Sequence, residues 1–135
     1  ESCTGGMVAA ALTDVAGSSA IFGRGFVTYS NTAKTEMLGV TPTALDAYGA
    51  VSEEVAREMA EGARHEAEAD LAVAISGIAG PGGSEHKPEG RVCFALAGPG
   101  GTSAETVEFG AIGRAEVRAA ATEHALRLIA DALED

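Results

Sequence analysis

Apolar residues recur every three or four positions along much of the chain, the spacing of buried helix faces. This pattern predicts five helices, over residues 7–15, 31–38, 42–48, 53–69 and 114–133. In the fourth helix, Val55, Met59 and Ala63 form the inner stripe. Ser30 or Asn31 is suited to cap the second helix, and Ser52 to cap the fourth. Each predicted helix therefore has one side that packs inside the fold.

Runs rich in β-branched, apolar or aromatic residues separate the helices and predict strands. They cover residues 21–29, 71–75, 91–97 and 106–109, and the last two are typical of a hairpin. A glycine-rich loop over residues 76–90 follows the most apolar strand. The order of elements indicates an α/β fold with a mixed sheet and helices on both faces.

The size and charge of the chain narrow its classes of function. Its 135 residues predict a single domain over positions 1–135. A net charge of −11 argues against nucleic acid or an anionic membrane as the main partner. No run reaches the about 18 apolar residues that a membrane span needs. Cys3 and Cys93 have no disulfide or metal-ligand spacing, so we expect a cytoplasmic protein without a metal.

The first six residues, Glu1 to Gly6, hold several groups suited to chemistry. Ser2 and Cys3 are rival nucleophiles at the start of a helix, where the helix dipole stabilises negative charge. Thr4, Gly5 and Gly6 complete a turn whose backbone N–H groups are suited to an anion or an oxyanion. An ordinary helix cap is the alternative interpretation of the same residues.

A second candidate pair is Tyr29 and Lys34, at a strand-to-helix junction. The positive end of a helix dipole, together with burial, lowers the pKa of a lysine and makes it a candidate general base. Paired with a serine, Lys34 is suited to Ser–Lys catalysis, and the Tyr29 hydroxyl to proton relay. A surface lysine beside a half-buried tyrosine is the alternative.

Two further regions are candidates for binding a phosphate or ribose. In the glycine loop, the backbone of Ser76, Gly77 and Ala79 follows a buried strand, where open α/β sheets bind ligands. A solvent-exposed loop is the alternative there. Arg114 and Arg118 lie four residues apart on one helix face, and either is suited to a phosphate or to a surface ion pair.

Four motifs, in order, resemble the CinA C-terminal domain family over nearly the whole chain. They are Glu1-Ser2-Cys3-Thr4-Gly5-Gly6, Gly25-Phe26-Val27-Thr28-Tyr29-Ser30-Asn31 with Lys34, Gly49-Ala50-Val51-Ser52-Glu53, and Ser76-Gly77-Ile78-Ala79-Gly80-Pro81. The resemblance implies a three-layer α/β/α sandwich with a mixed, mostly parallel sheet, and a homodimer or higher homo-oligomer. It also implies an amidase that converts nicotinamide mononucleotide to nicotinate mononucleotide and ammonia, without a metal or organic cofactor.

Carried over to this sequence, the resemblance implies that Ser2 is the nucleophile, Lys34 its base and Tyr29 a proton relay. The nucleotide is then bound by residues of the loop and of the last helix, which are Ser76, Gly77, Ala79 and Arg114. A catalytically silent nucleotide-binding domain is the alternative function. Because Glu1-Ser2 normally follows a strand in this family, we expect the parent protein to contain one before Glu1.

The same resemblance, added to the helix-dipole argument, makes the Thr4-Gly5-Gly6 turn the candidate contact for the oxyanion or another part of the ligand. Amide hydrolysis requires a group of this kind beside an activated nucleophile.

Overall fold

A computed structural model of the chain describes residues 1–134. Its elements, in chain order, are α1 (Met7–Thr13), a 3-10 turn (Ser18–Ala20), α2 (Asn31–Leu38), α3 (Pro42–Tyr48), α4 (Glu53–Ala67), β1 (Ala72–Gly77), β2 (Arg91–Gly98), β3 (Gly101–Glu108) and α5 (Arg114–Leu133). All five predicted helices are confirmed, α1 and α4 each ending two residues earlier than predicted. None of the described helices combines the length and apolar character that crossing a membrane requires.

Side-chain caps fix where three of the helices begin. The hydroxyl oxygens of Ser30, Thr41 and Ser52 each accept a hydrogen bond from the backbone N–H three residues later. These caps satisfy donors that a helix start leaves without a partner. The predicted caps at Ser30 and Ser52 are confirmed. Helix α2, which carries the candidate base, is therefore anchored at its first turn.

The regular sheet has three strands in the order β1-β2-β3, and every pair is antiparallel. The mixed class of helices and strands is confirmed, but the predicted mostly parallel sheet is wrong. Its strands follow one another through a loop and a tight turn, whereas parallel neighbours need a longer crossover, usually a helix. Ser2 forms a single parallel bridge with Ser76 of β1, and this bridge does not extend into a further strand among residues 1–134.

The predicted strand over residues 21–29 is also wrong as a regular strand. Within residues 1–134, its backbone forms only two hydrogen bonds to the backbone of a distant segment, both with Glu1: the Phe26 carbonyl accepts from the Glu1 nitrogen at 2.7 Å, and the Thr28 N–H donates to the Glu1 carbonyl at 3.2 Å. A β-rich composition does not produce a strand where no neighbouring segment supplies a ladder of hydrogen bonds.

Alternate residues of β1 and β2 face two separate cores. On one side, Ala74 and Cys93 pack with Met59 of α4. On the other side, Ile75 and Phe94 join two sets of helix residues, which are Val8 of α1 and Val117, Ala121 and Ala125 of α5. The period-two burial therefore places helices on both faces of the sheet. The three-layer sandwich stays a prediction.

Helix α4 packs against the end of α2 at Gly62. A Cβ atom on this residue would lie 1.9 Å from the carbonyl oxygen of Leu38, at the end of α2. Because the obstacle is backbone, no rotamer change relieves it. The close contact keeps the helix that carries Lys34 against α4.

Gly62→Ala is expected to destabilise the fold. Alanine in a helix gains about 1 kcal/mol over glycine, but overpacking of this kind costs about 1–3 kcal/mol. A net loss of unfolding free energy is expected by urea denaturation. Gly100→Ala, at a position with no atom within 4 Å of the added Cβ, is the control and should shift stability by less than about 0.5 kcal/mol. An equally stable Gly62→Ala protein would contradict the close packing.

Candidate active site

Ser2 is held by backbone hydrogen bonds next to the end of β1. Its N–H donates to the Ile75 carbonyl at 2.9 Å, and its carbonyl accepts from the Gly77 N–H at 3.3 Å. Glu1 pairs in the same way with Phe26 and Thr28 on the other side. Residues 1 and 2 therefore lie as an extended segment between β1 and residues 26–28, and Ser2 is buried.

The Glu1 carboxylate caps the start of α1. It accepts hydrogen bonds from the Thr4 hydroxyl at 2.5 Å and from the N–H groups of Gly6, Val8 and Ala9 at 3.0–3.2 Å. Burial raises the pKa of this carboxyl, but the hydrogen bonds from Thr4, Ala9 and Val8 outweigh it and lower the pKa below its ordinary value. The N–H of Gly6 is thus occupied by the protein itself, as is the Thr4 hydroxyl.

Lys34 lies beside the Ser2 hydroxyl. Its Nζ is 2.8 Å from Ser2 Oγ and donates to the Thr28 carbonyl at 3.1 Å. The lysine is 1% exposed, and this burial lowers its pKa, while the Glu85 carboxylate opposes the shift. A buried amine with a lowered pKa next to a serine is the arrangement of a general base and its nucleophile.

The segment after β1 is bonded mainly to the protein. The Ser76 hydroxyl donates to the Ala50 carbonyl at 2.7 Å, and the Gly77 N–H donates to Ser2. The N–H of Ala79 has no acceptor within the described part of the chain. Of the three predicted loop positions, Ala79 is therefore the one with a backbone donor available to a ligand.

Tyr29 and Arg114 form a pair on the surface. Arg114 donates to the Tyr29 hydroxyl at 2.9 Å and to the Gly80 carbonyl at 2.6 Å. Tyr29 is 58% exposed, and among residues 1–134 its hydroxyl bonds neither Ser2 nor Lys34. The structure thus joins the tyrosine to the glycine loop through Arg114, and not directly to the Ser2–Lys34 pair.

Cys3 and Arg118 lie on the inner side of the same turn. Cys3 is 2% exposed, and burial raises the pKa of its thiol, although Arg118 and Arg114 oppose the shift. Arg118 donates to the carbonyls of Cys3 and Thr4 at 3.1 and 3.2 Å. The Lys34 amine contacts Ser2, whereas burial of the Cys3 thiol disfavours its reactive thiolate form, so the geometry favours Ser2 over Cys3 as the candidate nucleophile.

An apolar cavity lies apart from the site. That cavity, of about 540 Å³, is lined mostly by apolar residues around β1 and residues 20–26, and none of Ser2, Lys34 or Arg114 lines it. Within the described chain, no three His, Cys, Asp or Glu side chains lie together as a metal site requires. Ser2 and Lys34 therefore lie outside this cavity.

Two residues that hold the site have roles that the sequence did not indicate. Glu1 belonged to a motif without an assigned task, although an acid just before a helix is a known signal for dipole capping. Arg118 was considered only as a phosphate ligand or a surface cation. Its two carbonyl partners are more than 100 positions away, and no local pattern encodes such a contact.

Curated relatives include the nicotinamide-nucleotide amidohydrolase PncC of Escherichia coli K12. That protein is 56% identical over 96% of this chain and 79% of its own length. The protein of the same name from Enterobacter agglomerans is 64% identical over 75% of this chain and 62% of its own length. A relative in Symbiobacterium thermophilum is 56% identical, and the chain spans 32% of its length.

Solved structures share the fold throughout. The competence/damage inducible protein CihA from Agrobacterium tumefaciens superposes with a TM-score of 0.94 at 48% identity, over 99% of this chain and 82% of that one. A CinA superfamily protein from Escherichia coli gives a TM-score of 0.92 at 41% identity, over 95% of this chain and 74% of that one. The family model described as CinA C-terminal domain matches residues 1–133, and the chain belongs to that family.

Proposed function

We propose that the protein is an amidohydrolase that converts nicotinamide mononucleotide to nicotinate mononucleotide and ammonia. The observation that carries the proposal is the 2.8 Å contact between Lys34 Nζ and Ser2 Oγ in a buried setting. Relatives named nicotinamide-nucleotide amidohydrolase, at 56–64% identity, support the choice of substrate. Cytoplasmic location, a homo-oligomeric state and a reaction without metal or organic cofactor stay predictions.

In the proposed first step, neutral Lys34 takes the proton of Ser2 as Ser2 Oγ bonds to the carboxamide carbon. The carbonyl oxygen becomes an oxyanion, which the free N–H groups of Thr4 and Gly5 stabilise. The lysine then returns its proton to the leaving nitrogen as the C–N bond breaks and ammonia departs. Water, deprotonated by the same lysine, then attacks the ester carbon. The C–O bond to Ser2 breaks, Ser2 Oγ takes the proton back from the lysine, and the nicotinate product leaves as its carboxylate.

Cationic side chains near Ser2 are suited to bind the nucleotide. Arg114 presents its guanidinium at the surface between Tyr29 and the carbonyl of Gly80. An arginine guanidinium can bind two phosphate oxygens at once. The Ala79 N–H lies in the glycine loop that Arg114 contacts. We infer that Tyr29 contacts the nucleotide and passes a proton once the substrate displaces its arginine partner. Gly6, Ser76 and Gly77 shape this site through their backbone.

Ser2→Ala and Lys34→Met are expected to abolish turnover. Each should lower kcat by at least about a thousandfold, because the nucleophile and its base act as a unit. Ammonia release measures activity, and calorimetry should detect normal nucleotide binding in both variants.

Ser103→Ala, an exposed serine on β3, is the control for those variants. Cys3→Ala should also stay active. A wild-type protein that binds the nucleotide without releasing ammonia would instead be a silent binding domain, and activity that requires Cys3 but not Ser2 would make the thiol the nucleophile.

The rate should increase with pH as Lys34 loses its proton. Because burial lowers the pKa of this lysine from 10.5, the midpoint of the rise in kcat/KM is expected below 10.5. Lys34→Arg, which stays protonated, should be inactive at every pH. A pH profile that is flat across this range, in an active wild-type protein, would exclude Lys34 as the base.

Arg114→Ala should weaken substrate binding more than it slows chemistry. A hydrogen bond to a charged group contributes about 1.5–3 kcal/mol, so KM is expected to increase about tenfold or more. Arg127→Ala, an arginine of α5 paired with Glu123 on the surface, is the matched control. An unchanged KM in the Arg114 variant would assign the phosphate to another group.

A further inference from the structure

Arg118 contacts the turn that carries Ser2 through two carbonyl oxygens. Its Nε donates to the Cys3 carbonyl at 3.1 Å, and its terminal nitrogen donates to the Thr4 carbonyl at 3.2 Å. The arginine is partly buried and forms no ion pair with a carboxylate in residues 1–134. The guanidinium instead binds two neutral oxygens, which fixes the turn. Its positive charge is not neutralised by a carboxylate of the described chain and stays beside the turn.

The two carbonyl contacts also set the direction of two N–H groups. In a trans peptide, the C=O of one residue points opposite to the N–H of the next. Holding the carbonyls of Cys3 and Thr4 on the Arg118 side therefore turns the N–H groups of Thr4 and Gly5 to the other side. Neither N–H has an acceptor among the described residues. Glu1 meanwhile occupies the N–H groups of Gly6, Val8 and Ala9 that follow.

We propose that Arg118 is a positioning residue that aims the Thr4 and Gly5 N–H groups at the oxyanion formed when Ser2 attacks. This inference rests on the proposed amidase mechanism, but on its serine chemistry and not on the identity of the nucleotide. Its role differs from that of Arg114, one helical turn earlier, which reaches the glycine loop. The Met7 N–H also donates to the Thr4 carbonyl at 3.1 Å, so Arg118 and Met7 together hold the other edge of these peptides and pre-form the oxyanion site.

The test compares kcat with KM in Arg118 variants. In Arg118→Gln and Arg118→Lys, kcat with nicotinamide mononucleotide is expected to fall at least about tenfold, since losing one oxyanion donor costs about a hundredfold or more. KM should change by less than about threefold, because Arg118 does not touch the substrate. Ethylguanidinium added to Arg118→Ala should restore part of kcat. Arg127→Gln is the control on the same helix.

A second probe separates this proposal from the choice of substrate. A fluorophosphonate reacts with an activated serine: Ser2 Oγ forms the P–O bond, fluoride leaves, and Lys34 takes the proton. Mass spectrometry of the intact protein follows the adduct on Ser2. The wild-type protein should be labelled, and labelling of both Arg118 variants should be at least about tenfold slower. That result would support the positioning role even if nicotinamide mononucleotide were not hydrolysed.

Three outcomes would overturn the proposal. Arg118→Gln and Arg118→Lys proteins with kcat and labelling rates within twofold of wild type would show that the turn needs no guanidinium. An increase in KM at constant kcat would make Arg118 a substrate ligand. Wild-type protein that neither hydrolyses the nucleotide nor reacts with the fluorophosphonate would overturn both the serine mechanism and the role of Arg118.

Discussion

The site depends on the double-sided backbone pairing of residues 1 and 2. Ser2 is bonded to Ile75 and Gly77 at the end of β1, while Glu1 is bonded to Phe26 and Thr28. An extended segment fixed on both edges has little freedom, so the Ser2 hydroxyl stays at one position beside α2. The same pairing brings the Glu1 carboxylate to the first turn of α1. One short segment therefore fixes both the candidate nucleophile and the start of the helix that follows it.

Burial of Lys34 underlies the reactivity proposed for this arrangement. A lysine that is 1% exposed has lost most of its hydration, which disfavours the charged form and lowers its pKa. That cost is offset in part where the Ser2 hydroxyl and the Thr28 carbonyl contact the amine. Two arginines, Arg114 and Arg118, place positive charge around the site in a protein whose net charge is −11. A small anion is thus attracted locally, although the whole surface repels polyanions.

The two arginines have separate tasks because of their separate contacts. Arg114 reaches outward to Tyr29 and the glycine loop, where solvent and a ligand have access. Arg118 reaches inward to the carbonyls behind Ser2. Helical spacing puts both on one face of α5, but the fold gives each a different neighbour. Residues four positions apart are therefore not interchangeable in this site.

The sequence by itself determined the local features of this protein. Helical periodicity and capping side chains located all five helices, including Ser30 at the start of α2 and Ser52 at the start of α4. These features depend on residues within one or two turns, which a single sequence displays directly. The ordered motifs also indicated the family and selected Ser2 and Lys34 from weaker candidates.

Only the tertiary structure decided which segments pair and which side chains meet. Strand partners depend on hydrogen bonds between distant residues, so the apolar run at 21–29 gained no ladder and the three named strands became antiparallel. The 2.8 Å approach of Lys34 to Ser2 and the contacts of Arg118 with Cys3 and Thr4 join positions 32 to 115 residues apart. Such contacts follow from packing the helices on the sheet, which local sequence does not encode.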